Sequence, residues 1–325
     1  MKAIVQDHYG SPDALRFADV DKPTPGDTEV LVRVRAASVN ARDWHVLRGD
    51  PYIARPSADL GLRRPNVPIS GTDFAGTVEA VGPAVKGLQL GDEVYGEAPR
   101  AFAEYVAVPA NRVDSKPANL TYEQAAAIPL AANTALIGVR DAANLQPGQH
   151  ILINGAAGGV GTFAVQIAKA RGAEVTGVCS TKNVELVDSI GADHVIDYTS
   201  TDFSHTGPYD VVLDLVGNRS LAALRRATTR RGILLLSGGG LFTGGSFFGP
   251  LGLMIRGKLI APFVAQSIGL FNAVTSKANL VTLRELAEAG RLTPVIDRTY
   301  PLAAAADAIR YLETGHARGK VVITV

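Results

Sequence analysis

The run Gly155-Ala156-Ala157-Gly158-Gly159-Val160-Gly161 lies directly after His150–Asn154 and directly before Thr162–Arg171. An apolar strand, a glycine turn and a helix in that order make a seat for a dinucleotide pyrophosphate. The glycines let the backbone approach the phosphates, and the new helix offers free N–H groups and the positive end of its dipole. A glycine pattern alone is a weak signal, but here the confirming context stands on both sides. Gly155, Ala157, Gly158, Gly159, Val160 and Gly161 are therefore the candidate phosphate-binding residues.

About twenty residues further on, an NAD-selective site carries a carboxylate for the ribose 2′-hydroxyl. This chain instead reads Cys179-Ser180-Thr181-Lys182-Asn183 after the second strand. Ser180, Thr181 and Lys182 supply donors and one cation suited to a 2′-phosphate, and the stretch holds no carboxylate to repel it. The same residues also read as an ordinary helix N-cap. NADPH is the expected cofactor, ahead of NADH.

These residues need a scaffold of some size, and 325 residues suffice for two domains with real cores. Charged residues make up 19% and the formal net charge is +1, which gives no basic field for nucleic acid. The single cysteine excludes a disulfide framework or a cysteine-rich zinc site and suits a reducing cytoplasm. Met1–Asp7 reads as an alternating strand rather than a signal peptide. Gly232–Ile255 and Leu259–Ser276 carry no charge, but eight glycines in the first and Pro262, Gln266, Ser267 and Asn272 in the second argue against a spanning helix. Membrane contact is not expected.

The first 120 residues read as short alternating or β-branched strands, for instance Glu29–Arg35 and Phe102–Val108. Alanine-rich helices follow at Tyr122–Ile128 and Ala131–Ala143. From His150 onward strand and helix alternate, with strands at His194–Asp197, Asp210–Asp214 and Gly232–Leu236 and helices at Asn183–Ile190 and Arg219–Thr228. Such βα alternation predicts a doubly wound parallel sheet. Helices at Leu280–Gly290 and Leu302–Gly315 precede a last strand, Lys320–Val325, which is expected to return to the first domain.

Several segments in order then carry a family likeness: Ala37–Asp43, Gly71-Thr72-Asp73-Phe74-Ala75-Gly76, Gly91–Gly96, the turn at 156–161, Gly191–Asp197 and Arg318–Val322. The chain resembles the zinc-free quinone oxidoreductase branch of the medium-chain dehydrogenase/reductase superfamily over essentially its full length. The resemblance implies an α/β fold: a Rossmann domain over 122–275 and a GroES-like catalytic domain from 1–121 and 276–325. It also implies a homodimer. By the resemblance, the positions matching the superfamily's catalytic zinc ligands hold Asn40, Thr72 and Leu130, which are not a competent ligand set. No metal site is expected, and the other histidines show no paired spacing that suggests one.

Without a Lewis acid, hydride transfer needs an acceptor that is already electrophilic: a quinone, enone or enal. Hydrogen-bond donors aimed at the developing oxyanion are then the protein's main contribution. Asn40 is a candidate donor to the substrate or nicotinamide ribose, or else a turn residue. Asp43 is an orienting acceptor, since an unperturbed Asp is ionised at neutral pH. Trp44 walls the site or fills core. His45 and Tyr52 are candidate proton donors. By resemblance, Thr134 and the Ser237–Gly240 turn, Gly238 included, hold the nicotinamide half. Tyr198 touches the adenine or the 2′-phosphate, and Lys320 matches a lysine that the family places near the cleft. Two alternatives remain beside quinone or enone reduction: NADPH-dependent reduction of an aldehyde or ketone, and a silent NADPH-binding interaction protein.

Overall fold

The computed structural model describes residues 1–57, 60–237, 245–249, 251–271 and 273–325. They fall into two units, one from 1–133, 245–247 and 274–325, the other from the described residues of 134–242 and 248–273.

The first unit begins with β1 (Lys2–Val5) and β2 (Arg16–Asp19), an antiparallel pair. The 11-residue strand β3 (Glu29–Val39) alternates valines with arginines and becomes fully buried toward its end. Asn40 then caps a helix, α1 (Ala41–Arg48), which ends at Gly49 in the left-handed region. Sequence reading expected only a strand end or turn there. After it come β4 (Asp73–Val81), β5 (Glu93–Glu97), β6 (Tyr105–Pro109), β7 (Val113–Ser115), α2 (Tyr122–Ala126) and α3 (Pro129–Leu136).

The second unit alternates β8 (His150–Asn154), α4 (Gly159–Ala170), β9 (Glu174–Cys179), α5 (Val184–Ser189), β10 (His194–Asp197), β11 (Tyr209–Asp214), α6 (Leu221–Ala227), β12 (Thr228–Leu236), α7 (Leu251–Ile260) and β13 (Ser267–Gly269). Its strands pair in parallel in the order β10-β9-β8-β11-β12-β13, with β8 and β11 flanking the point where the order reverses. This is the doubly wound arrangement, and ligands lie outside the carboxyl ends of the strands at that reversal. Ile151, Leu152, Ile153, Val211, Val212 and Leu213 are all fully buried, as expected of strands covered on both faces. The chain then returns to the first unit through α8 (Lys277–Glu288), β14 (Ile296–Pro301), α9 (Ala305–Glu313) and β15 (Lys320–Thr324).

In the first unit the sheet runs β14-β15-β3-β4-β5-β7, with β6 also on β3. The predicted return of the last strand takes the form of β15 antiparallel to β3, Val321 opposite Val39. The boundary between units falls after Asn133, not after residue 121. The reason is packing: Ala125 and Ala126 are fully buried, and the Tyr122 hydroxyl bonds Glu93 and Thr77, so α2 belongs with the β-rich unit. Among the described residues, no helix is long and apolar enough to cross a membrane.

Within this unit the buried Tyr95 donates its hydroxyl to the Leu280 carbonyl at 2.6 Å, tying β5 to α8. Tyr95→Phe removes that bond, while the Leu280 carbonyl keeps its partner inside α8, and should cost about 0.5–1.5 kcal/mol. Urea unfolding would register this as a lower midpoint at unchanged slope.

Candidate active site

Register brings the first unit's polar residues together. Ser38 pairs with Asp73 across β3 and β4, and Val39 pairs with Val321 across β3 and β15. Asp73, Lys320 and Asn40 therefore meet at the end of β3, all nearly or fully buried. The Lys320 ammonium lies 2.5 Å from Asn40 Oδ1, 3.3 Å from the Val39 carbonyl and 3.7 Å from Asp73 Oδ2. Asp73 also accepts from Ser38 Oγ at 3.0 Å, Asn40 Nδ2 at 2.9 Å and the Leu130 backbone N–H at 3.1 Å. Burial pushes the Asp73 carboxyl up, but so many converging donors, one of them cationic, favour the carboxylate. Burial likewise pushes Lys320 down, against the pull of Asp73 and Asp43.

Asn40 is thereby corrected. Its amide donates to Asp73 and to the Ser38 carbonyl at 3.3 Å, and its Oδ1 receives Lys320, so both ends serve the network rather than a substrate. Lys320, though it opens β15, is buried. Nothing local in the sequence marks Asp73 as the centre of a buried network.

Asp43 also departs from expectation. It is an acceptor, from the Asn40 backbone N–H at 2.7 Å and Thr72 Oγ1 at 3.1 Å, but it is no ordinary ionised Asp. Burial, with Asp73 nearby, pushes its pKa up to about 7. The folded state therefore holds its proton where the unfolded chain would release it. Its contribution to stability is full below about pH 4 and is lost as pH rises through about 7. A cavity of about 30 Å³, lined in part by Arg42, Asp43, Ser70 and Thr72, adjoins it and has room for about one water.

His45 stacks on the buried Trp44 with ring centroids 3.7 Å apart, and its Nδ1 lies 2.7 Å from the Asp50 carbonyl. A carbonyl can only accept, so Nδ1 carries the hydrogen and spends it there. A proton-donor role for His45 would therefore fall to Nε2. Trp44 fills core. Tyr52 is exposed; its backbone N–H bonds the Ser246 carbonyl, and Arg55 stacks over its ring.

In the second unit the glycine turn has the form the sequence implied. Gly155 sits at φ +90°, and a Cβ on Gly161 would come 2.0 Å from the Gly155 carbonyl oxygen. Gly158 caps α4, so Gly159, Val160 and Gly161 present the helix's first N–H groups, which have no intrahelical acceptor. Ala157 lies in the turn, nearly buried. Ala156 is accommodated because Gly177 faces it: a Cβ on Gly177 would meet that of Ala156 at 3.0 Å. The cradle fits a pyrophosphate. Beside it, two buried side chains that sequence reading passed over hold the neighbouring loop: Asn154 donates to Asp214 at 2.8 Å, and Asp214 accepts from the Gly217 N–H at 3.1 Å.

Near the expected 2′-site, the absence of a carboxylate is corrected. Parallel register sets Asp197 opposite Cys179, and Thr181 Oγ1 donates to Asp197 Oδ2 at 2.6 Å. That bond and two from Thr199 hold the Asp197 carboxyl below its usual range. Ser180 caps the short turn Thr181–Asn183, Lys182 is exposed, and Tyr198 is exposed just beyond Asp197. The buried Cys179 thiol is pushed up to about 11 by burial. Thr134 lies in α3 and is half-buried. The Ser237 N–H bonds the Asp214 carbonyl at 3.0 Å, whereas Gly238 lies outside the described residues.

Residues 26–118 match the family model of the alcohol dehydrogenase GroES-like domain, and residues 190–323 match that of the zinc-binding dehydrogenase. The chain is 35% identical over 359 residues to the mitochondrial NAD(P)H oxidoreductase RTN4IP1 of Bos taurus, covering 100% of this chain and 89% of that one. It is 35% identical to the chloroplastic NADPH-dependent alkenal/one oxidoreductase of Arabidopsis thaliana, covering 99% and 79%. The solved quinone oxidoreductase of Coxiella burnetii is 30% identical, with a TM-score of 0.87 over 100% of this chain and 99% of that one. The chain belongs to the quinone oxidoreductase branch of the medium-chain dehydrogenase/reductase superfamily. Its fold is the family's GroES-like unit and Rossmann-type unit.

For this family member, the buried pair is the feature most exposed to mutation. Lys320→Met strands Asp73 as an uncompensated buried charge and should cost about 3–5 kcal/mol. Adding Asp73→Asn should return part of that loss, as read by urea unfolding of both variants.

Proposed function

We propose that the protein is an NADPH-dependent, metal-free oxidoreductase that transfers hydride to quinones or α,β-unsaturated carbonyls. One observation carries the substrate class. The residues at the superfamily's metal positions are committed elsewhere: Asn40 and the Leu130 backbone bond Asp73, and Thr72 bonds Asp43. None offers a thiolate or imidazole, so the acceptor must be electrophilic by itself.

When bound, NADPH supplies the hydride. The turn from Gly155 to Gly161 would hold its pyrophosphate, and Ser180, Thr181 and Lys182 would bind its 2′-phosphate. Thr134, Ser237 and Tyr198 are assigned to the cofactor on the family's pattern. The Lys320–Asn40–Asp73 network fixes the end of β3 and the start of α1, from which the substrate-facing residues project. Asp43 holds the proton that completes the reduction, and the adjoining cavity has room for the water that would replace it. A homodimer is the assembly we assign. The apolar side chains of Leu259 and Phe263, exposed beside the edge strand β13, support it. We keep the cytoplasm as the compartment on the lone buried cysteine, although the relatives' names include mitochondrial and chloroplastic proteins.

The deciding experiment is turnover with an enone, an enal and a quinone, with product analysis. Saturated carbonyls or quinols are expected; an allylic alcohol would instead establish carbonyl reduction, and NADPH binding without turnover would leave a binding protein. In the same assay Asp197→Asn should raise the preference for NADPH over NADH about tenfold, by removing a charge from beside the 2′-phosphate.

The proton assignment has its own pH signature. Protonated Asp43 is the competent form, so kcat should fall as pH rises through about 7. Asp43→Asn should be slower by about 10²-fold and lack that limb. An unchanged alkaline limb in the variant would remove Asp43 from the role.

A further inference from the structure

Three parallel strands of the second unit begin with ligating residues: His150 opens β8, Glu174 opens β9 and His194 opens β10. His150 lies opposite Glu174, and His194 opposite Thr176, which shares a face with Glu174. One side-chain nitrogen or oxygen from each of the three residues lies within 4.8 Å of the other two. His194 Nε2 is 2.8 Å and His150 Nε2 3.9 Å from Glu174 Oε1. Tetrahedral zinc ligands at about 2.1 Å from the metal stand about 3.4 Å apart, so modest side-chain rotation would suffice. We propose that His150, Glu174 and His194 form a site for a divalent transition metal of the zinc class.

The donor set selects that class. Two imidazoles and one carboxylate suit Zn²⁺, Cu²⁺ or Ni²⁺, whereas Mg²⁺ and Ca²⁺ prefer all-oxygen shells. Three protein ligands leave room for water. The surroundings tolerate a cation: the nearby Lys169 is paired with Asp193 at 2.7 Å, so its charge is offset. His150 is steadied by the edge of the Tyr209 ring, 4.7 Å between centroids, whereas the contact of its Nε2 with Thr176 Oγ1 at 2.9 Å would yield to a metal. Asp210 accepts the His150 backbone N–H at 3.0 Å. Such partners orient a ligand before metal arrives.

The site is separate from the cofactor cradle. It occupies the amino ends of the strands, and about 13 Å of β8 separates His150 from the glycine turn. A metal here would clamp β8, β9 and β10 at the end opposite the chemistry. The spacing of 24 and 20 residues between ligands resembles no short motif, so only the register brings them together.

The test is calorimetric titration of the metal-stripped full chain with ZnCl₂, with Co²⁺ absorbance as a coordination readout. One equivalent should bind in the micromolar range and raise the unfolding midpoint, while MgCl₂ should do neither. His194→Ala, at a mostly exposed side chain, and Glu174→Gln should each weaken Zn²⁺ by about tenfold or more. Turnover with NADPH should be unchanged in His194→Ala without added metal. Absence of Zn²⁺ binding in the wild type, or equal binding in a His150→Gln/His194→Ala double variant that remains folded, would overturn the site and leave a plain His194–Glu174 ion pair.

Discussion

A lysine and an aspartate out of reach of water impose the strictest demand on the first unit. Moving such charges from solvent costs several kcal/mol each unless every remaining donor and acceptor finds a partner. Here Asp73 gathers Ser38, Asn40, Leu130 and Lys320, while Lys320 gathers Asn40, the Val39 carbonyl and Asp73. These groups come from β3, β4, the start of α3 and β15. The network closes only when the last strand has returned to β3, so residues about 280 apart in sequence must fold together. The discontinuous first unit is thus an electrostatic necessity as well as a topology.

The same network decides what chemistry the site can do. Asn40, which the family's pattern sets against a zinc-ligand position, has both ends of its amide bound inside the protein. With Asn40 fixed, its backbone N–H points at Asp43 and starts α1. Burial then outweighs the two hydrogen bonds that Asp43 accepts, and its proton is retained near neutrality. The engaged Asn40 amide and the titratable Asp43 carboxyl thus belong to one local arrangement. Reduction of a polarised alkene or quinone needs a hydride and a proton but no further activation, which matches what remains.

What could be read in the sequence divides by the range of the interactions. The glycine turn was legible because strand, turn and helix are contiguous, and Gly155 and Gly161 are required by backbone contacts within the turn itself. The strand–helix alternation fixed the second unit's architecture for the same reason. Helix α1 was missed because its cap is Asn40, whose neighbourhood reads equally well as a strand end. Asp73 was missed because burial depends on β15, and the His150–Glu174–His194 group because ligands on three strands share no local spacing. The fold's outline is local, whereas the polar chemistry of the site is almost entirely a matter of register.

Asp197 carries that lesson to cofactor choice. Residue types after β9 favour a 2′-phosphate, and a carboxylate arriving on the next strand opposes it. Its oxygens, however, already accept from Thr181 and Thr199 within the chain. A carboxylate so engaged is a poorer acceptor for a ribose hydroxyl than a bare one, though its charge still acts through space. Lys182 is exposed and a flexible point charge, able to meet a phosphate without disturbing Asp197. On the proposed cofactor placement, preference for NADPH rests on the balance between one cation and one partly satisfied anion. On that placement the balance would be set by the Thr181 hydroxyl, which now donates to Asp197 and would have to leave it to serve an incoming phosphate.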